Sequence, residues 1–189
     1  TNKGIVRLIN LHGGKAVGLS GSDAGLTSAA KLTLTRKGED GEEESYDIGQ
    51  VGQVKRINPD IIHHLAGGGF IPVIAPLGVG DDGKVYNINA DSAAGAIAGA
   101  LKAEKFILLT DVPGILDEGG KLKSTLNRAD VSALKNSGVI QGGMVPKVDA
   151  CLDALSSGVN KAHIIDGRTP HAVLLEIFTD EGIGTEIVA

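Results

Sequence analysis

The first segment with residues suited to chemistry is a glycine-rich stretch that ends in a lysine. It runs from Gly138 to Lys147, and Pro146 suits the first turn of a helix that would begin there. A lysine at a helix N-terminus opposes the helix dipole, which favours anions by roughly 0.3–1 kcal/mol. A phosphate held between this helix end and Lys147 turns that conflict into attraction. The alternative is an exposed lysine that tolerates the small penalty.

A second candidate is the turn that follows a predicted buried strand over 105–110. Pro113 and Gly114 suit a type II turn, because proline fixes φ at the second position and glycine accepts a positive φ at the third. Such a turn can present backbone N–H groups to a base or a phosphate. The alternative is an ordinary strand-ending turn in which Asp111 bonds its own backbone, and spacing alone favours that alternative.

A third group of polar residues lies between a strand and a helix rich in small residues. Asn87, Asn89 and Asp91 could project from one side of an extended segment. Asn89 is a suitable helix N-cap and Asp91 a first-turn carboxylate, which is a sufficient structural explanation. The functional alternative is that these groups point into a crevice and orient a substrate amide and a lysine.

Other features of the sequence exclude several classes of protein. The five histidines show no metal-like spacing with cysteine or carboxylates, so we predict no metal site built from side chains. A net charge of −5 and 3% aromatic residues argue against nucleic-acid and anionic-membrane partners. The single Cys151 cannot form an internal disulfide and is interpreted as a core residue, which fits a reducing compartment.

The elements that must position these residues form an alternating pattern. Apolar strands are predicted at 15–20, 70–75, 105–110, 162–165 and 184–188, and helices at 58–65, 90–101, 128–136, 145–157 and 171–178. Two further strands, 31–36 and 51–57, flank an acidic loop at 39–44 and predict an antiparallel excursion. We therefore predict one α/β domain over residues 1–189, with a mostly parallel sheet covered on both faces. Ligands bind such sheets at the carboxyl ends of the strands, where the candidates fall.

Six segments together resemble the amino acid kinase family. They are AVGLSGSDAG, IPVIAPLGVG, YNINADSAAGAIA, FILLTDVPGILD, GVIQGGMVPKVDACLDAL and HIIDGRTPHAVLLEIFTDEGIGT, and they run nearly end to end in the family's order. The likeness is strongest to members that phosphorylate the γ-carboxylate of N-acetyl-L-glutamate with ATP, the second step of arginine synthesis. It implies a three-layer αβα sandwich and a location in the cytoplasm or an organelle stroma.

The resemblance also implies roles for individual residues. Asn87 and Asn89 would contact acetylglutamate, Asp91 would organise catalytic lysines, and Lys147 would stabilise charge on the transferring phosphoryl group. Mg²⁺ would bridge phosphate oxygens and be bound largely through ATP and water. The residues implied to hold the nucleotide are Thr110, Asp111, Val112, Pro113, Gly114, Ile115, Leu116, Val139, Ile140, Gln141, Gly143 and Met144.

The end of the chain resembles the arginine-inhibited members of the family. This likeness implies that His163, Glu176, Gly182 and Gly184 bind L-arginine as a feedback inhibitor, with Glu176 facing a cationic group. Without the resemblance, Glu176 would be interpreted as a solvated helix carboxylate. A homo-oligomer, either a dimer or a hexamer, and docking of a PII-type signal protein are further expectations from the family.

The sequence departs from the family at its beginning. The chain starts at Thr1 and its only methionine is Met144. Nothing in it matches the family's first glycine-rich loop, a further catalytic lysine or most of the acetylglutamate pocket. We therefore expect an ATP-binding C-terminal part that binds nucleotide and has little or no kinase activity alone. Two alternatives stay open: a sister kinase with another acidic or carrier-bound acceptor, and a non-catalytic module that binds ATP or arginine.

Overall fold

The computed structural model describes residues 1–37, 42–179 and 182–189. Residues 39–41 of the predicted acidic loop therefore lie outside the described residues. The chain divides into two compact units, Thr1–Ala93 and Ala94–Ala189, and each is described by itself. The prediction of one domain over residues 1–189 stays a prediction.

The first unit contains a two-stranded parallel sheet and a small closed barrel. Its elements are α1 (Asn2–Leu11), β1 (Ala16–Ser20), β2 (Thr27–Lys37), β3 (Glu43–Ile57), α2 (Asp60–Gly67), β4 (Ile71–Ala75), β5 (Leu77–Gly80), β6 (Val85–Ile88) and the first residues of α3 (Ala90–Leu101). Strands β1 and β4 pair in parallel, whereas the barrel has the order β2-β3-β6-β5. A Cβ on Gly78 would lie 2.7 Å from the Ile88 side chain and 2.8 Å from that of Ala29, so the barrel interior requires glycine there.

The second unit is built around a four-stranded mixed sheet. Its elements are the rest of α3, β7 (Lys105–Thr110), β8 (Thr125–Asn127), α4 (Arg128–Asn136), α5 (Met144–Ser156), β9 (Lys161–Asp166), α6 (Ala172–Phe178) and β10 (Thr185–Val188). The sheet order is β7-β9-β10-β8, and the β9–β10 pair is antiparallel. Val131, Val148, Ile164 and Ile187 are fully buried in its core. Cys151 is buried in the same core, which confirms its interpretation as a core residue.

The predicted α/β fold is confirmed, and the first unit contains elements that the sequence did not predict, among them the helix α1. Five of the eight strand pairings among the described residues are parallel, as expected for a mostly parallel arrangement. The sequence predicted the antiparallel pair now seen as β2 and β3, but not its closure by β5 and β6. In residues 1–37, 42–179 and 182–189, no helix has the length and apolar character that crossing a bilayer requires.

Candidate functional site

Two loops of the second unit enclose a cavity of about 390 Å³, here called the loop cavity. One loop follows β7 and the other precedes α5, so both lie at ends of regular elements, as the sequence predicted. The volume falls within the range of small-molecule sites. Eight residues implied to hold a nucleotide line it: Val112, Gly114, Ile115, Leu116, Val139, Ile140, Gln141 and Met144. Asp117, Glu118, Gly120 and Gly138 complete the lining; Gly138 begins the glycine-rich segment singled out in the sequence, and the other three were not predicted.

The loop after β7 can follow its path only because Gly114 has no side chain. Its φ is +143°, and a Cβ would lie 2.7 Å from Thr185 Oγ1 and 2.8 Å from Leu122 Cδ1. The next residue, Ile115, is buried and its backbone N–H donates to Thr185 Oγ1 at 2.8 Å. The turn therefore packs directly on β10, and its backbone position is fixed from behind.

A short hairpin continues this wall of the loop cavity. Leu116 and Leu122 form a bridge, and the Lys123 N–H donates to the Ile115 carbonyl at 2.9 Å. At the tip, Asp117 Oδ1 accepts the Lys121 N–H at 2.9 Å and the Gly119 N–H at 3.0 Å. The Lys121 N–H, followed by the Lys123 ammonium, holds the pKa of Asp117 below its usual range. Asp117 is thus an ionised turn residue at the cavity edge.

The start of α5 forms the other wall. Gly142 has a φ of +56°, and the N–H groups of Met144 and Val145 donate to the carbonyls of Gln141 and Gly142 at 3.2 Å each. The first turn of the helix contains no acidic residue. Because these backbone groups are already hydrogen-bonded, attraction for a phosphate at this helix end would depend on Lys147. The cavity lining does not include five of the predicted residues: Thr110, Asp111, Pro113, Gly143 and Lys147.

The predicted substrate-contacting residues belong to the first unit. Asn87 is an exposed residue of β6, between the buried residues Tyr86 and Ile88. Asn89 Oδ1 accepts the backbone N–H of Ser92 at 3.1 Å, which is the N-cap geometry expected from the sequence. Asp91 lies in the first turn of α3. Asn89 is therefore explained by its role as the N-cap of α3, whereas Asn87 is exposed at the surface of the unit.

A second cavity of about 510 Å³ lies beside β9, α6 and β10, and is here called the β9–β10 cavity. All four residues implied to bind arginine line it: His163, Glu176, Gly182 and Gly184. Three charged residues that the sequence did not single out, Lys105, Lys161 and Glu186, contribute as well. Gly184 has a φ of +77°, and a Cβ there would lie 2.2 Å from the Ile164 carbonyl oxygen, so only glycine fits.

Glu176 is a buried carboxylate with three hydrogen-bond donors. The Lys105 ammonium lies 3.0 Å from Oε1, His163 Nδ1 lies 2.7 Å from the same oxygen, and the Ile183 N–H donates to Oε2 at 3.1 Å. Burial opposes ionisation, but the Ile183 N–H, Lys105 and His163 outweigh it, and the pKa of Glu176 lies below its ordinary value. The alternative of a solvated helix carboxylate is therefore wrong.

His163 is held as a neutral ring by the same cluster. Burial lowers the pKa of His163. The negative charge of Glu176 opposes that effect, whereas the positive charge of Lys105, which pairs with the same carboxylate, adds to it. A neutral ring that donates from Nδ1 to Glu176 keeps its lone pair on Nε2. That Nε2 is buried and has no hydrogen-bond partner among the residues that the structure describes. It lies 3.6 Å from Glu186 Oε1, whose carboxylate also pairs with Lys161 at 2.9 Å. The cavity therefore presents adjacent acceptor atoms suited to a cationic N–H donor.

Acid is expected to destabilise the protein through His163 and Glu176. Their pKa values lie below the ordinary 6.5 and 4.5, respectively, so the unfolded chain binds protons more readily than the folded one. Stability is then fully present above these ordinary values and falls as the pH decreases through the folded values. We expect Tm to decline below about pH 6.5, measured by thermal unfolding across pH. His163→Gln should flatten the first part of the decline; an unchanged slope in that variant would contradict the assignment.

No metal centre is visible in the cavity walls. In the part of the chain that the structure describes, no group of three or more His, Cys, Asp or Glu side chains is placed to hold a metal ion. A hard cation at the loop cavity would therefore need oxygen ligands from a bound phosphate and water, and the lining offers the side chains of Asp117 and Glu118 beside them.

Comparison with known proteins shows which family this chain resembles. The family model described as the amino acid kinase family matches residues 1–166. The acetylglutamate kinase of Syntrophobacter fumaroxidans is 59% identical over 188 residues, which cover 99% of this chain and 63% of that protein. The acetylglutamate kinase of Geotalea uraniireducens is 59% identical over 187 residues, covering 99% and 64%. The chain thus spans about 63–64% of the length of these curated relatives.

Solved structures share the fold. N-acetylglutamate synthase from Neisseria gonorrhoeae, complexed with coenzyme A and L-arginine, matches with a TM-score of 0.75 and 26% identity over 93% of this chain and 38% of that chain. Carbamate kinase from Giardia lamblia bound to AMP-PNP matches with a TM-score of 0.63 and 15% identity, covering 99% and 70%, and supports the fold alone. Since the family model matches 1–166 and the relatives match nearly every residue, this chain belongs to the amino acid kinase family.

Proposed function

We propose that this chain is the nucleotide-binding part of an acetylglutamate kinase. The reaction is transfer of the γ-phosphoryl group of ATP to the γ-carboxylate of N-acetyl-L-glutamate. The observation that carries the proposal is the loop cavity, because eight of the residues implied to hold the nucleotide line this one cavity. Relatives at 59% identity that bear the name acetylglutamate kinase support the choice of acceptor.

The chemistry demands positioning and charge stabilisation rather than a covalent intermediate on the protein. A carboxylate oxygen of the acceptor attacks the γ-phosphorus, the bond to the bridging oxygen breaks, and ADP leaves. The apolar residues Ile115, Val139 and Ile140 would pack on the base and sugar of the nucleotide. Lys147 would stabilise the negative charge that develops on the phosphoryl oxygens.

The remaining groups prepare the acceptor and the phosphates. Asn87 would hydrogen-bond acetylglutamate, and Asp91 would orient the catalytic lysines. Mg²⁺ bound together with ATP would supply positive charge that offsets the negative charge of the phosphates. Thr110, Asp111, Pro113 and Gly143 lie outside the lining of the loop cavity, and their contact with the nucleotide stays a prediction.

The experiment is phosphoryl transfer from radiolabelled ATP by the full-length protein, with acetylglutamate compared with glutamate, aspartate and α-aminoadipate. Labelled acetylglutamyl phosphate is the expected product. Preferred labelling of another acceptor would identify a sister kinase. Nucleotide binding without any labelled product would favour the non-catalytic alternative. The 189-residue chain alone is expected to bind AMP-PNP, measured by calorimetry, and to transfer little or no label.

We also propose that the β9–β10 cavity binds L-arginine as a feedback inhibitor. A buried ionised Glu176, the acceptor Nε2 of His163 and the carboxylate of Glu186 suit a guanidinium group. Lys105 and Lys161 supply positive charge for the α-carboxylate of an amino acid. The Neisseria gonorrhoeae synthase complexed with L-arginine supports this choice of ligand.

Three finer expectations belong to the same proposal: a homo-oligomer, docking of a PII-type signal protein, and a location in the cytoplasm or an organelle stroma. The family resemblance supports each of them. Exposed apolar residues on α1, including Ile5, Leu8 and Leu11, are consistent with a helix that packs against another surface. Light scattering of the full-length protein, with and without a PII-type protein, tests the first two.

A further inference from the structure

A single buried hydroxyl group lies between the two cavities of the second unit. Thr185 has no exposed surface and stands in β10 between Gly184 and Glu186, both of which line the β9–β10 cavity. Its Oγ1 accepts the Ile115 N–H at 2.8 Å and donates to the Lys123 carbonyl at 2.7 Å. Ile115 lines the loop cavity. One side chain therefore bonds the border of one cavity to the border of the other.

The hairpin from Ile115 to Ser124 strengthens this connection, because it contributes to both cavities. Its first strand lines the loop cavity, whereas Leu122 and Ser124 line the β9–β10 cavity. The Glu186 N–H donates to the Ser124 carbonyl at 2.8 Å, and the Lys123 N–H donates to the Ile115 carbonyl at 2.9 Å. A displacement of β10 would therefore move the hairpin or break these bonds.

Close packing leaves little room for a displacement to be absorbed locally. Gly114 lies against Thr185 with no space for a Cβ, and Gly184 lies even closer to the Ile164 carbonyl. Tightly packed interiors transmit strain because their atoms have few voids to move into. A ligand that shifts Gly184 or Glu186 would thus shift the Thr185 hydroxyl, and with it the Ile115 N–H.

We propose that Thr185 is a positioning residue for the nucleotide turn and couples the two cavities. A ligand in the β9–β10 cavity changes the affinity of the loop cavity for nucleotide through the Oγ1 hydrogen bonds of Thr185. The inference rests on the proposed function, since it takes nucleotide and L-arginine as the two ligands. Nothing in the sequence pattern of β10 distinguishes Thr185 from an ordinary strand residue.

The test measures a coupling factor in the full-length protein. It is the ratio of the Kd values for Mg²⁺–AMP-PNP with and without saturating L-arginine, obtained by calorimetry for the wild type, Thr185→Val and Thr185→Ser. We expect a coupling factor of about five or more in the wild type. By linkage, the Kd of arginine should change by the same factor between the protein with and without nucleotide. Thr185→Val, which keeps the shape and loses the hydroxyl, should bring the factor within about twofold of one, while Thr185→Ser should retain it.

Two outcomes overturn the inference while leaving the proposed function intact. The first is a wild-type protein that binds both ligands with a coupling factor of one. The second is a Thr185→Val variant that keeps the wild-type factor. A wild-type protein that binds neither ligand overturns the proposed function and the inference with it.

Amide hydrogen exchange in the wild type keeps the inference testable if Thr185→Val does not fold. Adding L-arginine should change the exchange rate of the Ile115 amide, because that N–H donates to Thr185. Exchange at Ile115 that is unaffected by saturating L-arginine would overturn the inference without any variant.

Discussion

Lys147→Met is expected to lower kcat of the full-length protein about 10²–10³-fold, with a much smaller change in KM for ATP. The lysine lies in the first turn of α5, immediately after the loop that walls the loop cavity. Charge on the transferring phosphoryl group develops mainly in the transition state, so a positive group that meets it there accelerates the reaction more than it tightens binding. Steady-state kinetics with varied ATP and acetylglutamate measure both constants.

Lys135→Met is the matched control for Lys147→Met. Lys135 pairs with Asp149 of α5 at 2.6 Å and lies outside the loop cavity, so its removal also deletes a positive charge next to α5. We expect its kcat to stay within about twofold of the wild type, since partly exposed ion pairs contribute little. If Lys147→Met also kept kcat within that range, Lys147 would be a half-buried lysine that tolerates the helix dipole and takes no part in phosphoryl transfer.

The parts of the fold that the sequence predicted are those with strong local signals. The observed bounds of α3, β7 and α4 are the predicted ones, 90–101, 105–110 and 128–136. Asn127 caps α4 with a reciprocal bond to Asp130, and such a capping box can be recognised from residue spacing. The barrel of the first unit lacks such a signal. β5 and β6 are four residues long, and their pairing depends on the close approach at Gly78 rather than on the pattern of either strand.

The same distinction applies to the candidate site. Loops after β7 and before α5 were predicted because glycine and proline mark them, and they form one cavity because their elements are neighbours. Lys105, Thr185 and Glu186 were missed. Each sits in a short strand with ordinary strand composition, and each acquires its role from contacts far along the chain. Lys105 meets Glu176 across 71 positions, and Thr185 meets Ile115 across 70. These contacts depend on the packing of α6 and of the loop after β7 against the sheet, which the pattern of a single strand does not show.

Glu176→Gln is expected to raise the L-arginine concentration for half-maximal inhibition on the order of 30-fold or more, the equivalent of at least about 2 kcal/mol for one partner of a buried charge pair. The substitution keeps the size of the side chain and removes its charge. Lys105 and His163 both bond to Glu176 Oε1, so the amide disturbs their positions as well as the attraction for a guanidinium group. Arginine titration of kinase activity measures the shift.

The control for Glu176→Gln is Glu104→Gln, which alters an exposed carboxylate bonded to Asn160 at 2.8 Å outside the β9–β10 cavity. Its half-inhibitory arginine concentration should match that of the wild type. Calorimetric titration with arginine separates recognition from folding, because a folded Glu176→Gln protein with weakened arginine binding has lost a ligand contact rather than its structure. Equal inhibition of the wild type and Glu176→Gln would remove Glu176 from arginine recognition. The buried cluster with Lys105 and His163 would then be a structural ion pair, whose own signature is the loss of stability in acid.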